Sequence, residues 1–128
     1  MTPGCWAAAL VLVQTLATAP AAAAPTAEPQ AALAKLQTEL KAAVPAETWA
    51  GFQTAQRSWE RYARADCDWK RSLSDGGSVG ASEYGRCLTA KRRARINELK
   101  LLLCEGYGLT GACEASARYD VPPEPAAR

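Results

Sequence analysis

Trp49, Phe52, Gln56, Trp59, Ala63 and Cys67 recur at spacings of three and four residues. At about 100° per residue these side chains share one narrow stripe of a helix, with Arg57, Arg61, Arg64 and Asp68 opposite. No Pro or Gly interrupts the chain from Phe52 to Leu73. A long amphipathic helix over 46–72 is therefore the predicted centre of the fold. Gln56 is the polar member of the stripe, and if buried it needs a hydrogen-bond partner. The stripe ends on a cysteine, so the helix is expected to be covalently fastened as well as packed.

The partner of that cysteine follows from the chain beyond. Cys67 lies nine residues before Gly76, and Cys87 lies ten after Gly77. A helical hairpin turning at Gly76–Gly77 brings the two level. Cys104 and Cys113 enclose the short Gly-rich run EGYGLTGA, which suits a local staple. Four cysteines allow three pairings; these features favour Cys67–Cys87 with Cys104–Cys113. Each bridge is worth about 2–4 kcal/mol to a small domain.

The remaining cysteine, Cys5, belongs to a different kind of segment. Ala7 to Ala19 is a short apolar run containing Leu10, Val11, Leu12, Val13 and Leu16, followed by Pro20 and four alanines. This is the pattern of a secretory signal peptide, with residues 1–23 removed by cleavage after Ala23. It departs from the pattern in having no Lys or Arg before the apolar core. The run is too short and too broken by Gln14, Thr15 and Thr18 for a stable membrane span. Export leaves an even cysteine count in an oxidising compartment.

Residues 24–29 read as a linker and 30–118 as one helical domain. Leu33, Leu36, Leu40 and Ala43 mark a first helix over 30–44, which Pro45 ends unless it starts the next one. Ser72 to Ser82, SLSDGGSVGAS, reads as a loop because three glycines and several serines favour turns. Helix is expected again from about Ala81 to Cys104, with Leu88, Arg95, Leu99 and Leu102 on one stripe and Ile96 and Leu103 beside it. Residues 119–128 read as a disordered tail. The fold class is all-α: a small disulfide-stapled helical hairpin with an additional N-terminal helix.

Composition removes most catalytic chemistry. There is no histidine, so no Ser-His or Cys-His nucleophile pair can form. Glu60, Asp66, Asp68 and Asp75 are the carboxylates a glycoside-hydrolysing pair could use, but no spacing singles out two of them. They read as solvating groups paired with nearby cations. The cysteine spacings of 20, 17 and 9 contain no metal-ligand motif, so no metal or cofactor is expected. Net charge is only +2. Lys91, Arg92, Arg93 and Arg95 spread around a helix without interleaved aromatics, which argues against nucleic acid. Arg95 sits among leucines and needs a partner there, with Asp66 the first candidate.

The segments QRSWERYARADC, GGS and CLTAKRRARINEL, taken together, resemble the lysozyme inhibitor LprI-like family of small exported domains. Its pattern is matched by Gln56, Arg57, Trp59, Tyr62, Cys67, Gly76, Gly77, Ser78, Cys87, Leu88, Arg95 and Leu99, over 52–102. The pattern's Arg-Asp after the tyrosine is Ala63-Arg64 here, and its Thr before the last arginine is Arg92. The earlier cysteine-bearing segment of the family is missing. The resemblance implies a non-enzymatic exported protein that binds and inhibits lysozyme in the bacterial envelope. Gln56, Trp59, Arg95 and Leu99 are then structural. The partner contact is expected at the Gly-rich loop, through Ser74, Asp75, Gly76, Gly77 and Ser78, with Arg71, Arg86, Tyr62 and Trp69 beside it. An envelope protein of the same fold with another partner is the alternative.

Overall fold

The computed structural model describes residues 27–74 and 77–121. The expected leader, residues 24–26, Asp75, Gly76 and the last seven residues of the tail lie outside them. The order of elements is α1 (Ala27–Ala43), α2 (Ala46–Ser72), α3 (Gly77–Leu99), two 3-10 turns (Lys100–Leu103 and Glu105–Gly108) and α4 (Glu114–Ala117). There is no strand among the described residues. None of these helices is long and apolar enough to cross a membrane.

The helix over 46–72 has the expected bounds. Pro45 precedes it at φ −57°, and the Pro45 carbonyl accepts the Trp49 N–H at 2.9 Å. Its stripe is buried as expected at Gln56, Ala63 and Cys67, with Trp49, Phe52 and Trp59 half-buried. α1 begins at Ala27 instead of Gln30, and Pro29 is buried, so the expected linker is helical in its second half. Proline suits the first turn of a helix. Leu33, Leu36 and Leu40 enter the core, whereas Ala43, at the frayed end, is exposed.

α3 corrects two expectations. It starts at Gly77, so most of the expected Ser72–Ser82 loop is its first two turns. Gly77 stands at φ +72°, a left-handed conformation that glycine adopts without cost. Gly80 faces α2, where an added Cβ would stand 3.2 Å from Arg71 Cγ. These glycines turn the chain and let two helices approach. Secondly, α3 packs on both α1 and α2, and its deepest residues are Thr89, Ile96 and Leu99, not the line through Leu88 and Arg95. Past Leu99 it tightens into a 3-10 turn.

The core joins Leu33, Leu36 and Leu40 of α1 to Ile96 and Leu99 of α3 and to Tyr119. Burying each of these large aliphatic side chains stabilises the fold by about 1.5–3 kcal/mol. Trp49 and Phe52 stack at 4.9 Å between ring centres and close one end. The chain then passes through the second staple, where Gly108 at φ +78° would place a Cβ 2.7 Å from Leu101 Cβ. No larger residue fits there without displacing the turn.

Tyr119 is the other correction, because it was expected in a disordered tail and is instead a core residue. Arg118 pairs with Glu39 at 2.9 Å and Lys100 with Asp120 at 2.6 Å, holding the segment on both sides. Burial, assisted by the adjacent Glu39 carboxylate, pushes the Tyr119 hydroxyl up to about 12. An unfolded tyrosine ionises near pH 10. Between these values the unfolded chain loses a proton that the folded chain keeps, so stability falls as pH rises. The loss should reach roughly 2–3 kcal/mol. Alkaline unfolding followed by circular dichroism should show it, and Tyr119→Phe should flatten the profile above pH 10.

Candidate functional site

The contacts between α2 and α3 form a ladder of unlike rungs. Nearest the hairpin tip, the Arg71 stem lies along Gly80 while its guanidinium stands 5.4 Å from the Tyr84 ring and 3.0 Å from Asp68. The next rung is the Cys67–Cys87 disulfide, with Cα atoms 5.6 Å apart. Then Lys91 meets Asp66 at 2.9 Å and stands 4.5 Å from the centre of the Tyr62 ring. The last rung is Arg95, whose Nε donates to Gln56 Oε1 at 3.1 Å, with the guanidinium 5.6 Å from Trp59 and 2.8 Å from Glu98.

Lys91 and Lys70 hold the Asp66 carboxyl below its usual range, and Asp66 in turn raises Lys91. The Arg95 partner is therefore not Asp66. Lys91 occupies that position one helical turn earlier, and Arg95 lies about 6 Å further along the axis, opposite Gln56. The buried Gln56 acquires the partner its position demands. Asp66 also lies near Cys67 and Cys87, with the three potential ligand atoms within 4.8 Å. Both sulfurs are bonded to each other, so they offer no thiolates to a metal. The second expected bridge, Cys104–Cys113, is also present, with Cα atoms 5.7 Å apart.

Beside the ladder, and sharing Tyr62 with its Lys91 rung, runs an exposed apolar stripe. Tyr62, Trp69 and Leu73 share one side of α2, within about 40° at helical spacing, and Val79 stands across the turn at the start of α3. They are 58%, 60%, 68% and 63% exposed. Exposed apolar side chains of this size near one another are a feature of contact surfaces. Of the residues expected to touch a partner, Ser74, Gly77, Ser78, Arg71 and Trp69 meet at this tip, with Tyr62 further down the same stripe. Arg86 does not join them. It lies about 13 Å along α3 from Gly77, in an ion pair with Glu83 of its own helix.

Leu73 and Val79 were missed as surface candidates. Their signal was present: Leu73 follows Trp69 by four residues on the polar side of the amphipathic pattern. At the opposite end of the molecule Tyr107 and Leu109 are also exposed.

The sequence model of the lysozyme inhibitor LprI family matches residues 12–99. The chain belongs to the LprI family. No curated protein matches it, and neither does any solved structure. The LprI match takes in α1, α2 and α3 and stops before the second staple, so Cys104, Cys113 and Tyr119 lie outside the segment the family model describes. Within it, the residues carrying the LprI resemblance are largely the rungs. Gln56, Trp59, Cys67, Cys87 and Arg95 touch one another across α2 and α3, and Leu99 is in the core. They fix the shape of the hairpin, and the exposed stripe rides on it.

Proposed function

We propose that this chain is an exported, non-enzymatic inhibitor that binds lysozyme through the tip of its stapled hairpin. The observation that carries the reading is the exposure of Trp69, Leu73 and Val79, on either side of the turn between two helices joined by the Cys67–Cys87 bridge. A rigid apolar end loses little conformational freedom on docking, and a large aromatic anchor contributes most in a pocket that excludes water. Because α3 starts at Gly77, the inserted element is the helical end itself, with Ser74 and Ser78 supplying hydrogen-bonding groups at its rim. Membership of the LprI family supports lysozyme as the partner. Two disulfides support an oxidising compartment and hence export.

Titrating the oxidised protein into lysozyme acting on cell walls tests the reading. Activity should fall to a plateau near equal molar amounts. Trp69→Ala should weaken inhibition by about 30-fold, the equivalent of about 2 kcal/mol at an interface anchor. Its helix content should not change, because Trp69 supports nothing in the core. Full lysozyme activity at excess oxidised protein, across several lysozyme classes, would overturn the proposal.

A further inference from the structure

A second candidate site lies away from the tip. α1 and α2 flank a groove of about 200 Å³ whose floor is α3. Gln30 and Gln37 line it from α1, Trp59, Glu60 and Arg64 from α2, and Leu88 and Arg92 from α3. Ala34 and Ala63 also line it from the two flanking helices, and such short side chains leave the space open. Trp59 is half-buried, giving the groove an aromatic wall.

The charges here are unspent. No carboxylate lies within ion-pair distance of Arg64 or Arg92 among the described residues, a state they share with Lys35, Lys41, Arg57, Arg61 and Arg93. Glu60 takes only a long contact from Gln56, at 3.5 Å. Two guanidinium groups, two side-chain amides and one carboxylate therefore meet at one concave, partly apolar place. Ala63, Arg64 and Arg92, three positions at which the sequence departs from the family pattern, line this groove, with a small residue and two arginines in place of an Arg-Asp pair and a Thr.

We infer that this groove binds a compact N-acyl compound carrying a carboxylate. Guanidinium groups grip carboxylates through paired, charge-assisted hydrogen bonds. The glutamines match an acyl amide, donating to its carbonyl and accepting from its N–H, and Glu60 accepts a sugar hydroxyl or a peptide's second N–H. The volume admits one sugar ring or a dipeptide, and both bodies can carry this chemistry. The inference stands apart from the lysozyme reading, since the groove shares no residue with the tip.

The test is calorimetric titration of the oxidised protein with N-acetylmuramic acid, with N-acetyl-glutamyl-alanine and with neutral N-acetylglucosamine. At least one acidic probe should bind at least tenfold more tightly than the neutral sugar, and added salt should weaken it. Tighter binding of the first or the second identifies the body as sugar or peptide. The double variant Arg64→Asp, Arg92→Thr alters two surface positions and should retain its helix content while losing at least tenfold in affinity. Trp69→Ala should bind the probe as the parent does, and the double variant should inhibit lysozyme as the parent does. No binding of either acidic probe, equal binding of the neutral sugar, or undiminished binding by the folded double variant would overturn the inference.

Discussion

Replacing Cys67 and Cys87 with serine is expected to destabilise the protein by about 3 kcal/mol, the loop-closure value for a 20-residue separation. In a domain of this size that lowers the midpoint of thermal unfolding by about 12–24 °C. The effect is large because the bridge closes the turn between α2 and α3, and Cys67 is fully buried. The serine at position 67 would also place a hydroxyl in a fully buried site, which costs unless it finds a hydrogen-bond partner. Scanning calorimetry of the double variant checks the magnitude. A shift below 4 °C would mean the remaining rungs hold the hairpin by themselves. Reduction of the unaltered protein should reproduce most of the effect. If the tip is the lysozyme contact, inhibition should weaken with the loss of rigidity even at temperatures where the variant is folded.

Ile96→Ala should cost about 3–4 kcal/mol, in the range for truncating a fully buried branched side chain where neighbours cannot collapse into the space. Ile96 has no solvent exposure and packs in the same cluster as Leu36, Leu40 and Tyr119, on helices whose positions are set by other contacts. Arg95→Ala, one residue earlier, should cost less, about 1–3 kcal/mol, mainly by leaving the buried Gln56 oxygen without its donor. Urea unfolding of the two variants gives the comparison. An Arg95 effect exceeding that of Ile96 would make the polar rung, not the apolar core, the main support of α3.

That pair of neighbours shows where sequence reasoning succeeded and where it failed. α2 was legible throughout because it packs along one side: its stripe, its bounds and its bridge all agree with the spacing of Trp49 to Cys67. α3 was not, because it contacts helices on two sides. Gly80, Tyr84, Cys87, Lys91 and Arg95 meet α2, while Ile96 and Leu99 meet the core, so no single stripe describes it. Serines and glycines before it resembled a loop because composition does not distinguish a glycine that turns the chain from one that lets helices approach. Tyr119 was hidden by its proximity to a proline-rich end.

The candidate sites divide in the same way. Trp69 was legible as an aromatic off the buried stripe, and Ser74, Gly77 and Ser78 as neighbours of the turn. Arg86 was placed by nearness in sequence, and the helical rise moves it away. Arg64 and Arg92 could not be joined from sequence, because their meeting depends on how α1 and α2 splay over α3.

The two bridges lie one after the other along the chain, with no crossing or nesting. A polypeptide leaving a channel amino end first presents Cys67 and Cys87 together before Cys104 appears. Once the leader with Cys5 is removed, as proposed, pairing each remaining cysteine with the next available one yields the native set. If the chain is exported as proposed, its yield should depend on the supply of an oxidant and not on that of an isomerase.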